Sequence, residues 1–160
     1  MLKKVLSPST CASCRICCSF VKEDAWESPM FSEAEMEMIR RLGISADKFS
    51  EVEKDGKKMY QANYPFKQEH QILLCPCLDE KKGCLLGEHK PFECSIWPIR
   101  IFEDENGVYL GLANACPAFA GDKKKTLIKE LEEGGIKEKI LKEKNRQALI
   151  KESYVGYERL

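Results

Sequence analysis

Cys11, Cys14, Cys17 and Cys18 form a C-x2-C-x2-C-C run, and Cys75, Cys77, Cys84, Cys94 and Cys116 follow before the cysteines stop. A thiolate is a nucleophile and a soft metal ligand. Steps of three residues let Cys11, Cys14 and Cys17 converge on one centre when a tight loop or first helical turn carries them, as in ferredoxin-type loops. Cys17 and Cys18 are adjacent, and in regular backbone their side chains are expected to point apart. The run therefore predicts three ligands of one centre plus a first ligand of another, with the remaining ligands among the downstream cysteines Cys75, Cys77, Cys84, Cys94 and Cys116. Pro76, Pro91 and Pro117 stand close to these cysteines and fix local turns. Because a ferredoxin's last ligand is also followed by proline, Cys116-Pro117 is a candidate to complete the first site.

All-thiolate sites suit both iron–sulfur clusters and zinc. The packed run favours a 4Fe-4S cluster, since zinc more often takes paired C-x2-C knuckles; Zn2+ is the alternative, in one or two centres. In a reducing compartment dense cysteines bind metal more often than they form disulfides, and nine of them would leave one thiol over. Cys75 reads as either a spare buried thiol or an exchangeable ligand, with the buried thiol as the default. His89, midway between Cys84 and Cys94, reads as a surface or hydrogen-bonding residue rather than a nitrogen ligand, and His70 as exposed. Arg15 is either a solvated cation or a donor to a cluster sulfide. Trp26 and Trp97 read as core or shielding residues, while Asp79, Glu88 and Glu93 show no paired geometry and receive no catalytic role. The catalytic residues are unassigned.

The elements that must carry these residues are legible from turn and cap signals. Ser32-Glu33-Ala34-Glu35 has the S-x-x-E form of a capping box, Met36, Ile39 and Leu42 follow at helical spacing, and Gly43 supplies a stop, predicting a helix over 33–42. A short turn is expected at Ser45-Ala46-Asp47. Asp55-Gly56 and Asn106-Gly107 are hairpin signals, the second between Ile99–Phe102 and Val108–Leu110, and 71–74 reads as a further strand. Residues 122–160 hold no cysteine or proline and read as two helices broken at Gly134-Gly135. In the second, Leu141, Ala148 and Val155 mark an apolar stripe. The fold class expected is α+β: a small antiparallel sheet with cysteine-bearing loops at its edges, packed by an N-terminal helix and two C-terminal helices. Residues 1–118 would form the cysteine-cluster metal-binding domain and 119–160 a helical extension packed on it, one domain overall.

The chain of 160 residues has a formal net charge of zero, which gives it no overall pull toward nucleic acid or anionic membrane. Its opening eight residues carry no apolar stretch of signal-peptide length, and the apolar run 72–78 is far too short to span a bilayer. The expectation is a cytoplasmic protein. There is no P-loop, no G-x-G-x-x-G and no nucleophile triad.

At these cysteines the chain resembles the zinc- or iron-chelating cysteine-cluster proteins, the YkgJ-like family with its CxxCxxCC opening. The family's later signature runs roughly C-x-x-L, then C-x-I-Y-E-x-R-P-x-x-C-R-x-F-P. Cys77 with Leu78 looks like its start; Cys84, Leu86, Glu88, Pro91, Cys94 and Pro98 fall in register, with Trp97 in an aromatic slot and Cys116-Pro117 similar to the final cysteine. The resemblance covers 11 to about 118. Gly87 stands where the family carries an aromatic residue, and Lys90 and Ser95 replace arginines, so bidentate capture of an anion would not carry over. Without Cys75, eight cysteines remain, enough for two four-thiolate sites. The resemblance implies a metalloprotein in electron transfer, cluster handling or redox sensing, working with a protein or redox partner not named by the sequence. The alternatives are a structural zinc module that mediates protein interaction, or a methyltransferase-like enzyme acting on a protein lysine, suggested by a family relative linked to iron–sulfur chemistry.

Overall fold

The computed structural model describes residues 13–116, 121–144, 146–151 and 156–160. Their contacts divide the chain into a central unit, Arg15–Cys94, and a terminal unit that joins Met1–Cys14 to Ser95–Leu160. Both carry helices and antiparallel strands, so the fold is α+β. Among the described residues the single small sheet expected is instead four separate ones, two of three strands and two of two.

The central unit is built around the capped helix α1 (Glu33–Arg41). Ser32 Oγ accepts from Glu35 N–H and the Glu35 carboxylate accepts from Ser32 N–H at 2.7 Å, so the capping box forms as the sequence predicts. Glu33 and Glu35 sit in the first turn and Arg40 and Arg41 in the last, each sign opposite the helix dipole it meets. At the other end Gly43, at φ 74°, donates to the Arg40 carbonyl while Ile44 donates to that of Ile39. This is the paired closure that favours glycine at a left-handed position. The helix ends one residue short of the predicted boundary.

Met36 and Ile39 bury themselves against a sheet of β2 (Met30–Phe31), β4 (Lys57–Ala62) and β3 (Phe49–Lys54), in the order β2-β4-β3. The β3–β4 hairpin turns at Asp55-Gly56, both at positive φ, as its sequence demands. The predicted short turn appears as a 3-10 turn over Ala46–Lys48. Two short ladders complete the unit: β1 (Ser19–Phe20) with β5 (Leu73–Leu74), and β6 (Leu78–Asp79) with β7 (Gly83–Cys84). The strand expected over 71–74 is thus confined to its last two residues. The core joins Phe20, Phe31, Met36, Ile39, Phe49 and Tyr60 to Cys75, Cys77 and Leu86, with Cys18, Tyr64, Phe66, Leu78 and Cys84 packed on it. Thiols are therefore part of this hydrophobic core, where an uncharged cysteine behaves as a small apolar residue. A one-turn helix, α2 (Phe92–Ser95), carries Cys94.

In the terminal unit β8 (Ile99–Asp104) and β9 (Gly107–Ala113) form a hairpin, and β10 (Tyr157–Arg159) pairs with β9 on its other edge. The two-residue loop is Glu105-Asn106, one residue earlier than Asn106-Gly107 suggests. The Asp104 carboxylate accepts the Asn106 N–H at 2.9 Å and fixes the turn there. Gly111 admits the Phe102 ring, whose Cε2 would lie 2.6 Å from any Cβ at that position. Helices α3 (Asp122–Glu133) and α4 (Ile136–Leu141) break at Gly134-Gly135 as predicted. The second does not continue through the expected stripe. It ends at Leu141, whose carbonyl accepts from Arg146 at 2.7 Å; Ala148 lies in the 3-10 turn Arg146–Leu149, and Val155 lies outside the described residues. The described part of the repeat thus crosses from the end of a helix into a 3-10 turn, and β10 follows. Among the described residues no helix is long and apolar enough to cross a membrane.

Glu35 makes a direct test of this frame, because its two oxygens accept from Ser32 and from Phe92 N–H. Glu35→Ala is expected to lower stability by about 2 kcal/mol in urea unfolding, and Glu35→Gln, which keeps one acceptor oxygen, by less.

Candidate metal centre

The described cysteines fall into two groups. Cys14 and Cys116 belong to the terminal unit, and Cys17, Cys18, Cys75, Cys77, Cys84 and Cys94 to the central one. Cys11 lies outside the described residues. All eight described cysteines are free thiols. Cys75, Cys77 and Cys116 are buried and the other five half-buried.

Cys17 and Cys18 do not point apart. They share the 3-10 turn Ile16–Cys18, entered through Arg15 at φ 58°, and their sulfurs lie 3.7 Å from each other. A 3-10 turn advances about 2 Å and a third of a revolution per residue, so adjacent side chains can meet, which the alternation of a strand prevents. The turn is tied down from both ends. The Arg15 carbonyl accepts from Cys18 N–H and Ser19 Oγ, and its guanidinium donates to the Glu80 carbonyl.

Backbone pairing then brings the second cysteine segment to the end of this run. β1 and β5 pair Ser19 with Leu74, and Cys75 N–H donates to the Cys18 carbonyl at 2.8 Å, extending the ladder by one bond. A turn closes from Leu78 N–H to the Cys75 carbonyl. Leu85 N–H bonds the Cys77 carbonyl at 2.8 Å, and the β6–β7 register sets Leu78 opposite Cys84. Asp79 holds that hairpin by accepting Lys82 and Lys81 N–H, which keep its carboxyl below the usual carboxylate range.

Two of these sulfurs receive backbone donors. Cys84 is approached by the N–H groups of Leu86 and Gly87, the latter at φ 51°, with the Lys90 charge nearby. Cys75 is approached by Cys77 N–H, and its own thiol engages the Cys77 sulfur. Such donors favour a charged sulfur, while burial opposes it. In the metal-free protein the interaction with Cys77, joined by burial, holds Cys75 well above the ordinary thiol range, and burial raises Cys84.

Cys94 is positioned by carboxylates on its N-terminal side. Buried Glu93 accepts Met30 N–H at 2.7 Å and Glu35 accepts Phe92 N–H at 3.0 Å. Neither carboxylate was legible as a positioning group from sequence. His89 and His70 are exposed, as expected. Trp97 is buried, with the Arg100 guanidinium 4.7 Å from its ring. Cys75 is buried as predicted, and its thiol engages the Cys77 sulfur. Counting C-x-x-L back from Leu78 reaches Cys75, not Cys77, and that spacing was the signal available.

Soft donors supplied with backbone N–H groups fit the chemistry of a thiolate centre. Among the described residues no group of three or more His, Cys, Asp or Glu is gathered tightly enough to hold an ion, and the sulfurs meet in the pairs Cys17–Cys18 and Cys75–Cys77. The chain matches no known protein family, no curated protein and no solved structure.

Cys75, Cys84 and Tyr64 all keep their protons longer in the folded metal-free chain than when unfolded. Above the ordinary thiol pKa the unfolded state therefore binds fewer protons, and stability falls as pH rises toward the folded values. The urea midpoint of the metal-free protein is expected to drop from about pH 8 to about pH 10, and the double variant C75S/C84S to flatten that slope.

Proposed function

We propose that this chain is a cysteine-ligated metal protein of the reducing cytoplasm, carrying a 4Fe-4S cluster, with Zn2+ as the alternative, in one or two centres. The observation that carries the proposal is the Cys84 sulfur facing Leu86 and Gly87 N–H groups, on a hairpin bonded to the segment that holds the buried Cys75–Cys77 pair. Backbone donors aimed at a half-buried sulfur gain most when that sulfur is a thiolate, and a bound metal keeps it one. The ligands proposed are Cys11, Cys14, Cys17, Cys18, Cys77, Cys84, Cys94 and Cys116, and Cys75 joins the candidates of the central unit. Eight free thiols accord with a compartment that keeps cysteines reduced.

A bound cluster would supply one-electron chemistry, and the protein's part is to hold its sulfurs, limit water and set the local field. Electron transfer, cluster handling or redox sensing with a protein partner is the corresponding role. Purification without oxygen, followed by iron, sulfide and zinc analysis, tests this. A brown protein with iron and acid-labile sulfide is the expected result, and C84S is expected to lose metal. A well-folded chain that takes up neither iron nor zinc would overturn the proposal.

A further inference from the structure

The sulfurs of Cys17 and Cys18 stand 3.7 Å apart on adjacent residues, an arrangement that the alternation of a strand excludes. The turn that sets it is fixed on both sides. Arg15 enters at φ 58°, its carbonyl accepts Cys18 N–H at 2.9 Å and Ser19 Oγ at 3.0 Å, and the Cys18 carbonyl accepts Cys75 N–H at 2.8 Å. Neither cysteine is in a disulfide, and both are half-buried, so a small reagent reaches them from solvent. Among the described residues no group of three or more thiol, imidazole or carboxylate ligands is gathered closely enough to hold an ion. The pair is what the geometry offers.

Two chemistries use two thiols and no further protein donor. The first is a disulfide. Neighbouring Cα atoms stand about 3.8 Å apart, short of the roughly 4.4 Å at which disulfides ordinarily begin, so direct closure would strain the bond. The second inserts one atom between the sulfurs. Soft atoms bond sulfur at about 2.3 Å, and one such atom spans sulfurs 3.7 Å apart with the turn intact. Zinc or iron placed there would still call for further donors. Trivalent arsenic carrying one organic group is complete with two thiols. The product has no charged sulfur, which suits Cys18 packed on the apolar core.

We propose that Cys17 and Cys18 form a two-thiol chelating site for monosubstituted trivalent arsenicals. Two As–S bonds form, the As=O bond of the arsenical oxide breaks, and both thiol protons leave with that oxygen as one water. Arsenic stays trivalent and no oxidant is needed. Ile16, 40% exposed in the same turn, offers the organic group an apolar neighbour. The inference goes beyond the metal chemistry proposed above and does not rest on it, since it needs no iron, no zinc and no other cysteine.

Phenylarsine oxide is the probe, added at one equivalent to the full-length chain, reduced and metal-free. Iodoacetamide then labels the accessible thiols, and a small dithiol strips off the arsenical. Trypsin, cutting after Arg15 and Lys22, releases residues 16–22 with Cys17 and Cys18 as their only cysteines. Both are expected to be protected from alkylation, compared with a chain labelled without the arsenical. In a titration C17S and C18S are each expected to bind about a hundredfold more weakly, the scale on which a second, tethered contact is lost. Unchanged labelling of Cys17 and Cys18 would overturn the inference, and so would a single variant that binds phenylarsine oxide as tightly as the parent. Because protection is read on the parent chain, it decides the question even if a serine variant fails to fold.

Discussion

One hydrogen bond, from Cys75 N–H to the Cys18 carbonyl, extends the two-pair ladder of β1 and β5 and joins the cysteine run near the start of the chain to the segment that carries Cys75 and Cys77. Everything downstream in the central unit takes its place from that junction. The turn from Cys75 to Leu78 orients Cys77, the Cys77 carbonyl receives Leu85, and the β6–β7 pairing sets Cys84 beside Leu78. A register slip of one residue in so short a ladder would reverse which side chains face the core. Phe20, buried at the end of β1, opposes that slip, because it would have to leave the apolar cluster.

The cysteines of this unit answer two opposed demands. As members of a core beside Phe20, Leu86 and Ile39 they are favoured when neutral, and burial pushes Cys84 that way. As the proposed ligands they would have to be charged. Backbone N–H groups reconcile the two, since the peptide donors facing Cys84 and Cys75 are fixed by hairpin and turn and need no side-chain ordering when charge arrives.

Local chemistry was readable in the sequence, and long-range pairing was not. The Ser32–Glu35 box, the Asp55-Gly56 turn and the Gly134-Gly135 break each act within a few residues, and all three appear where their residue types place them. The ladder of β1 and β5 spans two residues on each side, too short for any alternation to announce it. The Cys17–Cys18 contact depends on a left-handed Arg15, a conformation that arginine does not advertise. Over 141–155 the seven-residue spacing suggested a helix, yet Arg146 closes the chain back onto Leu141 and β10 follows. Glu93, adjacent to Cys94 and noted without a role, could not be read as a positioning group because the Met30 N–H it accepts lies far away in sequence.

The Glu35 carboxylate has a consequence for motion. One oxygen closes the start of α1 through Ser32, and the other holds Phe92, two residues before Cys94. Fraying of the helix start and detachment of the Cys94 segment thus draw on one shared acceptor, and each event weakens what opposes the other. The two stretches belong to a single cooperative opening unit. Ser32 and Phe92 amides, far apart in sequence, should exchange with solvent deuterium at similar opening free energies, and the Cys94 thiol should become accessible on that same clock.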